Sequence, residues 1–324
     1  VTSDRVFVGI DLGGTEIKAA ALTEHGEVLE HRSIGTRGRE GRDAVMERLA
    51  GIVDWARQVS PDGLAGAGVA IPGVLDMQSG RVEMMTNLTH DWNGFLLKDA
   101  LQDRTGMKTS VMNDVRAATL GEQVWGAGKP YSDFICIAIG TGIGGGLVLT
   151  NDLYMGARGA AGEIGHITVL TEGGYLCNCG NHGCLETIAA APALTRAARE
   201  AIEAGDDLLG SLAGSIEPAP HQIVQAAQRG SETANRIFSY AGRMTGQALA
   251  GLVMTLNPQA IVVGGGVAKA GELLLEPIRR EIKRRTTLLS PERGGVEVLQ
   301  SPLGGEAGAI GAAAWAMRSD KGAA

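Results

Sequence analysis

The chain has 324 residues, 44% of them hydrophobic but only 4% aromatic, and 49 are glycine; that length allows two cores, since single cores rarely grow beyond roughly 250 to 300 residues. Its 29 Lys and Arg against 36 Asp and Glu give a net charge of −7 without any basic block, which argues against a nucleic-acid partner. No apolar run approaches the roughly 20 residues of a membrane span, and Val1-Thr2-Ser3-Asp4-Arg5 holds no signal-peptide core, so a soluble, cytoplasmic protein with no membrane partner is expected.

From the N-terminus, Val6 to Ile10 reads as a β-branched strand ending in Asp11-Leu12-Gly13-Gly14-Thr15, and Ile17 to Leu22 as its hairpin partner. Val45, Leu49, Ile52, Val53 and Ala56 recur at helical spacing, and Gly68 to Ile71 forms a strand turned by Pro72-Gly73. Val111-Met112 leads into Asn113-Asp114 and an alanine-rich helix from Val115 to about Glu122, a polar pair at a strand-to-helix junction where α/β folds often carry function. Phe134 to Ile139 repeats the opening pattern: strand, glycine turn Gly140 to Gly146, strand Leu147 to Leu149. Residues 200–230 read as a helical excursion with a loop at Glu217-Pro218-Ala219-Pro220 and no chemistry. Ser231 caps a long helix that Asn257-Pro258 ends, Ala260 to Val263 is a strand running into Gly264-Gly265-Gly266, and Glu306 to Met317 is a small-residue helix suited to tight packing.

Glycine turns after apolar strands let backbone N–H groups approach a phosphate with no side chain between; a single such turn is equally a plain hairpin. Gly140 to Gly145 also matches the dinucleotide fingerprint G-x-G-x-x-G, but that motif needs a helix directly after it, and Leu147-Val148-Leu149 continues as strand. No P-loop motif occurs. Of the four cysteines, Cys177, Cys179 and Cys184 share one glycine-rich loop, a thiol spacing that favours structural zinc with a fourth ligand from His182 or His166. Cys136 lies in an apolar strand and reads as packing.

Asp11 to Thr15, the Gly140 to Gly146 turn and Gly264-Gly265-Gly266-Val267-Ala268 resemble the two phosphate motifs and the adenosine motif of the actin-like ATPase superfamily. Within it the chain resembles the ROK family over Val6 to Ala314, and most of all its bacterial glucokinases. The resemblance implies an α/β, two-lobed actin-like ATPase (ribonuclease H-like) fold with mixed sheets, holding nucleotide and sugar in an interdomain cleft. A small domain spans 1–114, with the helix of about 306–324 packed back on it, and a large domain carrying the zinc loop spans 115–305.

The resemblance also implies ATP-dependent phosphorylation of the 6-hydroxyl of glucose. ATP would be held by Asp11, Gly13, Gly14, Thr15, Gly140, Thr141, Gly142, Gly144, Gly264, Gly265 and Gly266. Asp114 is the expected general base, since phosphoryl transfer to an alcohol needs a carboxylate to take the hydroxyl proton; taken by itself it could equally cap its helix. Asn87, Asn113, Asp114, Glu163, His166 and Glu186 would bind the sugar, and His166, Cys177, Cys179 and Cys184 the zinc. Asp11 is the expected Mg2+ partner, through water, the alternative being a plain turn aspartate. The residue after Gly-Gly-Thr is Glu16 rather than the family's usual Lys or Asn; because it would repel phosphate, it is expected to point away. The loop after Asn87 is longer than the family's common form, which leaves N-acetylmannosamine, N-acetylglucosamine, fructose and mannose as alternative acceptors and polyphosphate as an alternative donor. Trp92 is expected to pack, or else to flank the cleft. A homodimer or homotetramer is the expected assembly. A sugar-responsive repressor is the rival reading, disfavoured by a first strand beginning at Val6 and by Asp114.

Overall fold

The computed structural model describes residues 4–60, 63–85, 88–157, 159–214, 217–288 and 295–322. In chain order the elements are β1 (Val6–Leu12), β2 (Glu16–Thr23), β3 (Val28–Gly35), α1 (Arg42–Gln58), β4 (Leu64–Ile71), β5 (Gly73–Asp76), β6 (Arg81–Met85), α2 (Leu97–Thr105), β7 (Thr109–Asn113) and α3 (Asp114–Trp125). They continue with β8 (Phe134–Ile139), β9 (Ile143–Leu149), β10 (Asp152–Tyr154), α4 (Glu186–Ala189), α5 (Ala191–Glu203), α6 (Asp207–Ala213), α7 (Pro220–Gln228) and α8 (Glu232–Leu256). The last are β11 (Ala260–Gly264), α9 (Glu272–Arg285), β12 (Glu297–Gln300) and α10 (Ala307–Asp320). The chain divides into two compact units, Val1–Lys129 with Gly305–Ala324, and Pro130–Gly304.

The first unit is built on a five-stranded sheet of order β3-β2-β1-β4-β7, with β2 antiparallel to both β3 and β1 and with β4 and β7 added in parallel beyond β1. Apolar side chains bury β1 along its whole length except at Asp11, so this carboxylate stands out of an otherwise greasy strand. The helical spacing read from Val45 to Ala56 becomes the buried face of α1. On the sheet's other side α10 comes so close that a Cβ on Gly9 would sit 1.8 Å from the Ala309 carbonyl oxygen, and one on Gly68 1.8 Å from that of Ala312. Small residues on both partners permit this approach; a side chain in between would push the helix off the sheet.

The second unit repeats the topology: β10-β9-β8-β11-β12, again antiparallel on one side of the founding strand and parallel on the other. Its core joins β8 and β11 to α5, α7, α8 and α9 through Ile135, Ile137, Leu194, Phe238, Ile261 and Ile278, all buried. The long helix α8 starts where Ser231 Oγ accepts the Ala234 N–H at 3.0 Å and ends at Asn257, in the left-handed conformation at φ 48°. Two mixed sheets of one topology flanked by helices make an α/β fold of the actin-like ATPase type. Among the described residues no helix is long and apolar enough to cross a membrane.

Candidate active site and metal centre

In the first unit, the ends of β1 and β7 carry the polar residues. β1 and β2 close around Gly14-Thr15, with the Gly13 N–H donating to the Glu16 carbonyl at 3.0 Å. Gly13 has to be glycine, because a Cβ there would lie 2.7 Å from that same oxygen. Asp11 sits on the edge of this turn against the first turn of α10, where a Cβ on Gly308 would meet its Oδ2 at 2.5 Å. Burial, reinforced by the charge of Asp114, raises the Asp11 carboxyl to about 7, opposed by Lys18. Lys18 pairs directly with Asp11 across the β1–β2 ladder, and its Nζ donates to the Gly305 carbonyl at 3.0 Å. Glu16, at the head of β2, is exposed.

Asn113 is the N-cap of α3: its Oδ1 accepts the N–H groups of Val115 and Arg116 at 3.1 and 3.2 Å, and its Nδ2 donates to the Gly73 carbonyl at 3.0 Å. The capping role weighed for Asp114 thus falls on its neighbour. Asp114 is the first residue of α3, where its Oδ1 accepts the Val115 N–H at 2.9 Å. Because Asn113 spends its oxygen on the helix, its contribution to a ligand reduces to one remaining amide proton. Asn87 lies outside the described residues. Trp92 is buried, edge to face with Phe95 at 5.8 Å, and packs rather than lining a surface.

In the second unit the strand after the Gly140 turn begins earlier than the sequence reading places it. Gly144, Gly145 and Gly146 belong to β9, paired with Ala138, Ile137 and Cys136 of β8, so the turn shrinks to Gly140, Thr141 and Gly142. Glycines stand in this strand because the segment Gly162–Gly165 lies on it: a Cβ on Gly145 would meet Ile164 Cδ1 at 2.3 Å and the Gly162 carbonyl at 2.7 Å. That approach seats the short 3-10 helix Ile164–His166 on β9, with Glu163 exposed at its start. Glu186 opens α4, and its Oε2 accepts the Ile143 N–H at 2.8 Å, so one carboxylate braces the Gly140–Gly142 turn. Gly264 ends β11, and Gly265 turns the chain at φ 87°, where a Cβ would collide with Ile139 backbone at 2.4 Å. Gly266 starts the following 3-10 helix, Val267–Ala270.

His166, Cys177, Cys179 and Cys184 form a cluster whose ligand atoms all lie within 4.8 Å of one another. His166 Nδ1 is 3.5 Å from Cys177 Sγ, and Cys179 Sγ is 3.7 Å from Cys184 Sγ. His182 points elsewhere, its Nδ1 lying 3.2 Å from the Gly174 carbonyl. Three sulfurs and one imidazole nitrogen at this spacing fit a tetrahedral zinc ion with no open position. As thiols the ligands differ: burial pushes Cys184 up to about 12 and Cys177 above its usual value, while the Asn181 backbone N–H pulls Cys179 down. A bound divalent cation supplies the positive charge that deprotonates such a set.

Lys18 and Thr36 contact this machinery without having been read as site residues. Lys18 was legible in principle, because a turn closed by Gly13 and Glu16 pairs Asp11 with Lys18 by counting alone. Thr36 follows β3, a strand whose exposed, charged run of Glu30, His31 and Arg32 gives little apolar signal.

A family model described as the ROK family matches residues 7–319. The glucokinase of Halalkalibacterium halodurans is 37% identical over 316 residues, covering 95% of this chain and 94% of its own. That of Thermotoga maritima is 35% identical over 310 residues, covering 95% and 96%. The crystal structure of a ROK family glucokinase from Streptomyces griseus in complex with glucose and AMPPNP superposes with a TM-score of 0.84 at 35% identity, covering 97% of this chain and 99% of that one.

Proposed function

The chain belongs to the ROK family, and from that membership we propose that it is a glucokinase, transferring the terminal phosphoryl group of ATP to the 6-hydroxyl of glucose. The observation that carries the mechanism is the pair Asp11 and Asp114: two carboxylates whose charges are felt by each other, at the ends of β1 and β7, beside the Gly13–Thr15 turn. Asp114, at the start of α3, acts as general base, taking the hydroxyl proton as the oxygen attacks. Backbone N–H groups of Gly14 and Thr15 and of Thr141 and Gly142 hold the phosphates, those of Gly13 and Gly140 closing their own turns, and Gly264, Gly265 and Gly266 leave room for the adenosine.

Asp11 is the residue to hold magnesium, through water, and a raised carboxyl beside a second acid is a pair that a cation relieves. When bound, the ion would neutralise the charge on the transferred phosphate. Asn113, Asp114, Glu163, His166 and Glu186 are the polar residues we assign to the sugar. Zinc at His166, Cys177, Cys179 and Cys184 braces the loop that leads into Glu186. A set of thiolate ligands suits a reducing, cytoplasmic setting, and the assembly we expect is a homodimer or homotetramer.

The test is a coupled ADP-release assay over a panel of hexoses, with ATP and with polyphosphate as donors. Turnover of glucose with ATP at a kcat/KM well above that of N-acetylmannosamine, N-acetylglucosamine, fructose or mannose is the expected result. No turnover of any hexose with either donor would defeat the reading.

A further inference from the structure

We infer that Thr36, which lies outside the glycine motifs, is a positioning residue that aims the Gly13–Thr15 turn at the phosphates; the inference rests on the reading of that turn as a phosphate site. Thr36 is fully buried, and both of its polar groups on the turn side are committed. Its Oγ1 donates to the Gly13 carbonyl at 2.6 Å and its N–H donates to the Thr15 carbonyl at 2.9 Å. Its own carbonyl accepts from Arg48 Nη1 at 3.2 Å, and Arg48 is tied in turn to Glu40. Thr36 is thus anchored from behind by α1 while it grips two carbonyls of the turn.

The consequence follows from peptide geometry. In a planar trans peptide the C=O and the N–H of the next residue point in opposite directions. With the Gly13 carbonyl held toward Thr36, the Gly14 N–H is directed away from it; with the Thr15 carbonyl held likewise, so is the Glu16 N–H. The Gly13 carbonyl is also drawn out of the tight-turn bond it would otherwise offer to the Glu16 N–H. Among the described residues the Gly14 and Thr15 N–H groups donate to no protein group, although most buried or turn donors find a partner. Two carbonyls turned inward by one threonine leave the Gly14 and Glu16 N–H groups facing away from it, on either side of the unpaired Thr15 N–H, an arrangement that can cradle an anion. Without the hydroxyl, Gly13-Gly14 is free to rotate, since glycine has the widest backbone choice.

The test compares Thr36→Val, which keeps the shape and loses the hydroxyl, with Thr36→Ser, which keeps the hydroxyl. Binding of AMPPNP with magnesium and of adenosine is measured by calorimetry on the full chain, with glucose KM and thermal midpoint alongside. Thr36→Val is expected to weaken AMPPNP binding about tenfold, the size of effect of one well-placed hydrogen bond. Adenosine binding and glucose KM should stay within about twofold, and Thr36→Ser should restore AMPPNP binding to within about twofold of the parent. An unchanged AMPPNP affinity in Thr36→Val, equal losses in the Val and Ser variants, or parallel losses for adenosine would overturn the inference. Should the valine variant not fold, Thr36→Cys, a much weaker donor of similar size, takes its place under the same criteria. Because binding is read directly, a parent protein that binds AMPPNP but does not phosphorylate glucose would sink the glucokinase reading while Thr36 is still decided. A parent that binds no nucleotide sinks both.

Discussion

Asp11 at the end of β1 is hard to ionise because it is buried, and the charge on Asp114, first residue of α3, makes it harder still. Two acids of like charge at the ends of β1 and β7 are costly for a fold unless a cation or a transferred proton makes use of them. Each therefore has a distinct expected behaviour.

Asp114→Asn removes the proton acceptor while preserving shape. Its kcat is expected to fall by about 10²- to 10⁴-fold, the usual range for a general base, with glucose affinity within a few-fold of the parent. Steady-state kinetics and glucose titration check it, and parental kcat in the variant would remove Asp114 from the mechanism.

Asp11 has a folded-state value near 7 against 3.8 for an ordinary aspartate. A carboxyl raised on folding favours the native state only while protonated: its contribution is complete below about pH 4 and is lost as pH rises through about 7. Asp11→Asn should therefore gain stability over the parent between pH 4 and pH 8, by up to about 4 kcal/mol at the upper end in magnesium-free buffer. Urea denaturation of both proteins at several pH values reads the difference, and a pH-independent gap contradicts it.

Metal analysis should find one zinc per chain, held by His166, Cys177, Cys179 and Cys184. Because structural zinc can supply roughly 10 to 16 kcal/mol of apparent binding energy, stripping it with a chelator should lower the thermal midpoint and abolish glucose turnover together. A preparation free of metal by mass spectrometry yet fully active and equally stable removes the requirement.

Gly311→Ala addresses how α3 is held. The new Cβ would lie 1.6 Å from the Ala117 carbonyl oxygen, so α10 and α3 must separate. A loss of about 3 kcal/mol or more in chemical denaturation is expected, since backbone on both sides leaves nothing flexible to yield. As α3 carries Asp114, kcat should fall as well. A variant of parental stability would mean the two helices adjust without cost.

Much of the chemistry was legible in the residue order because it is local. A turn such as Gly13-Gly14-Thr15 declares itself by the glycines that backbone approach requires, and Cys177, Cys179 and Cys184 by spacing on one loop. The start of β9 was misplaced for the opposite reason. Gly144 to Gly146 look like turn residues, yet they are extended because Gly162 to Gly165, distant in sequence, lies across them. Nothing local distinguishes a glycine that bends the chain from one that makes room for another segment.

The sequence by itself determined the apolar strands, their glycine ends and the thiol loop, since each follows from side-chain type and short-range periodicity, while the acids Asp11 and Asp114 were singled out by the resemblance to the ROK family. Only the tertiary structure decided that Asn113 rather than Asp114 caps α3, that Glu186 braces the Gly140 turn, and that Thr36 grips the carbonyls of Gly13 and Thr15. These are choices among hydrogen-bond partners of similar strength, and proximity made by the folded chain, not residue identity, selects between them.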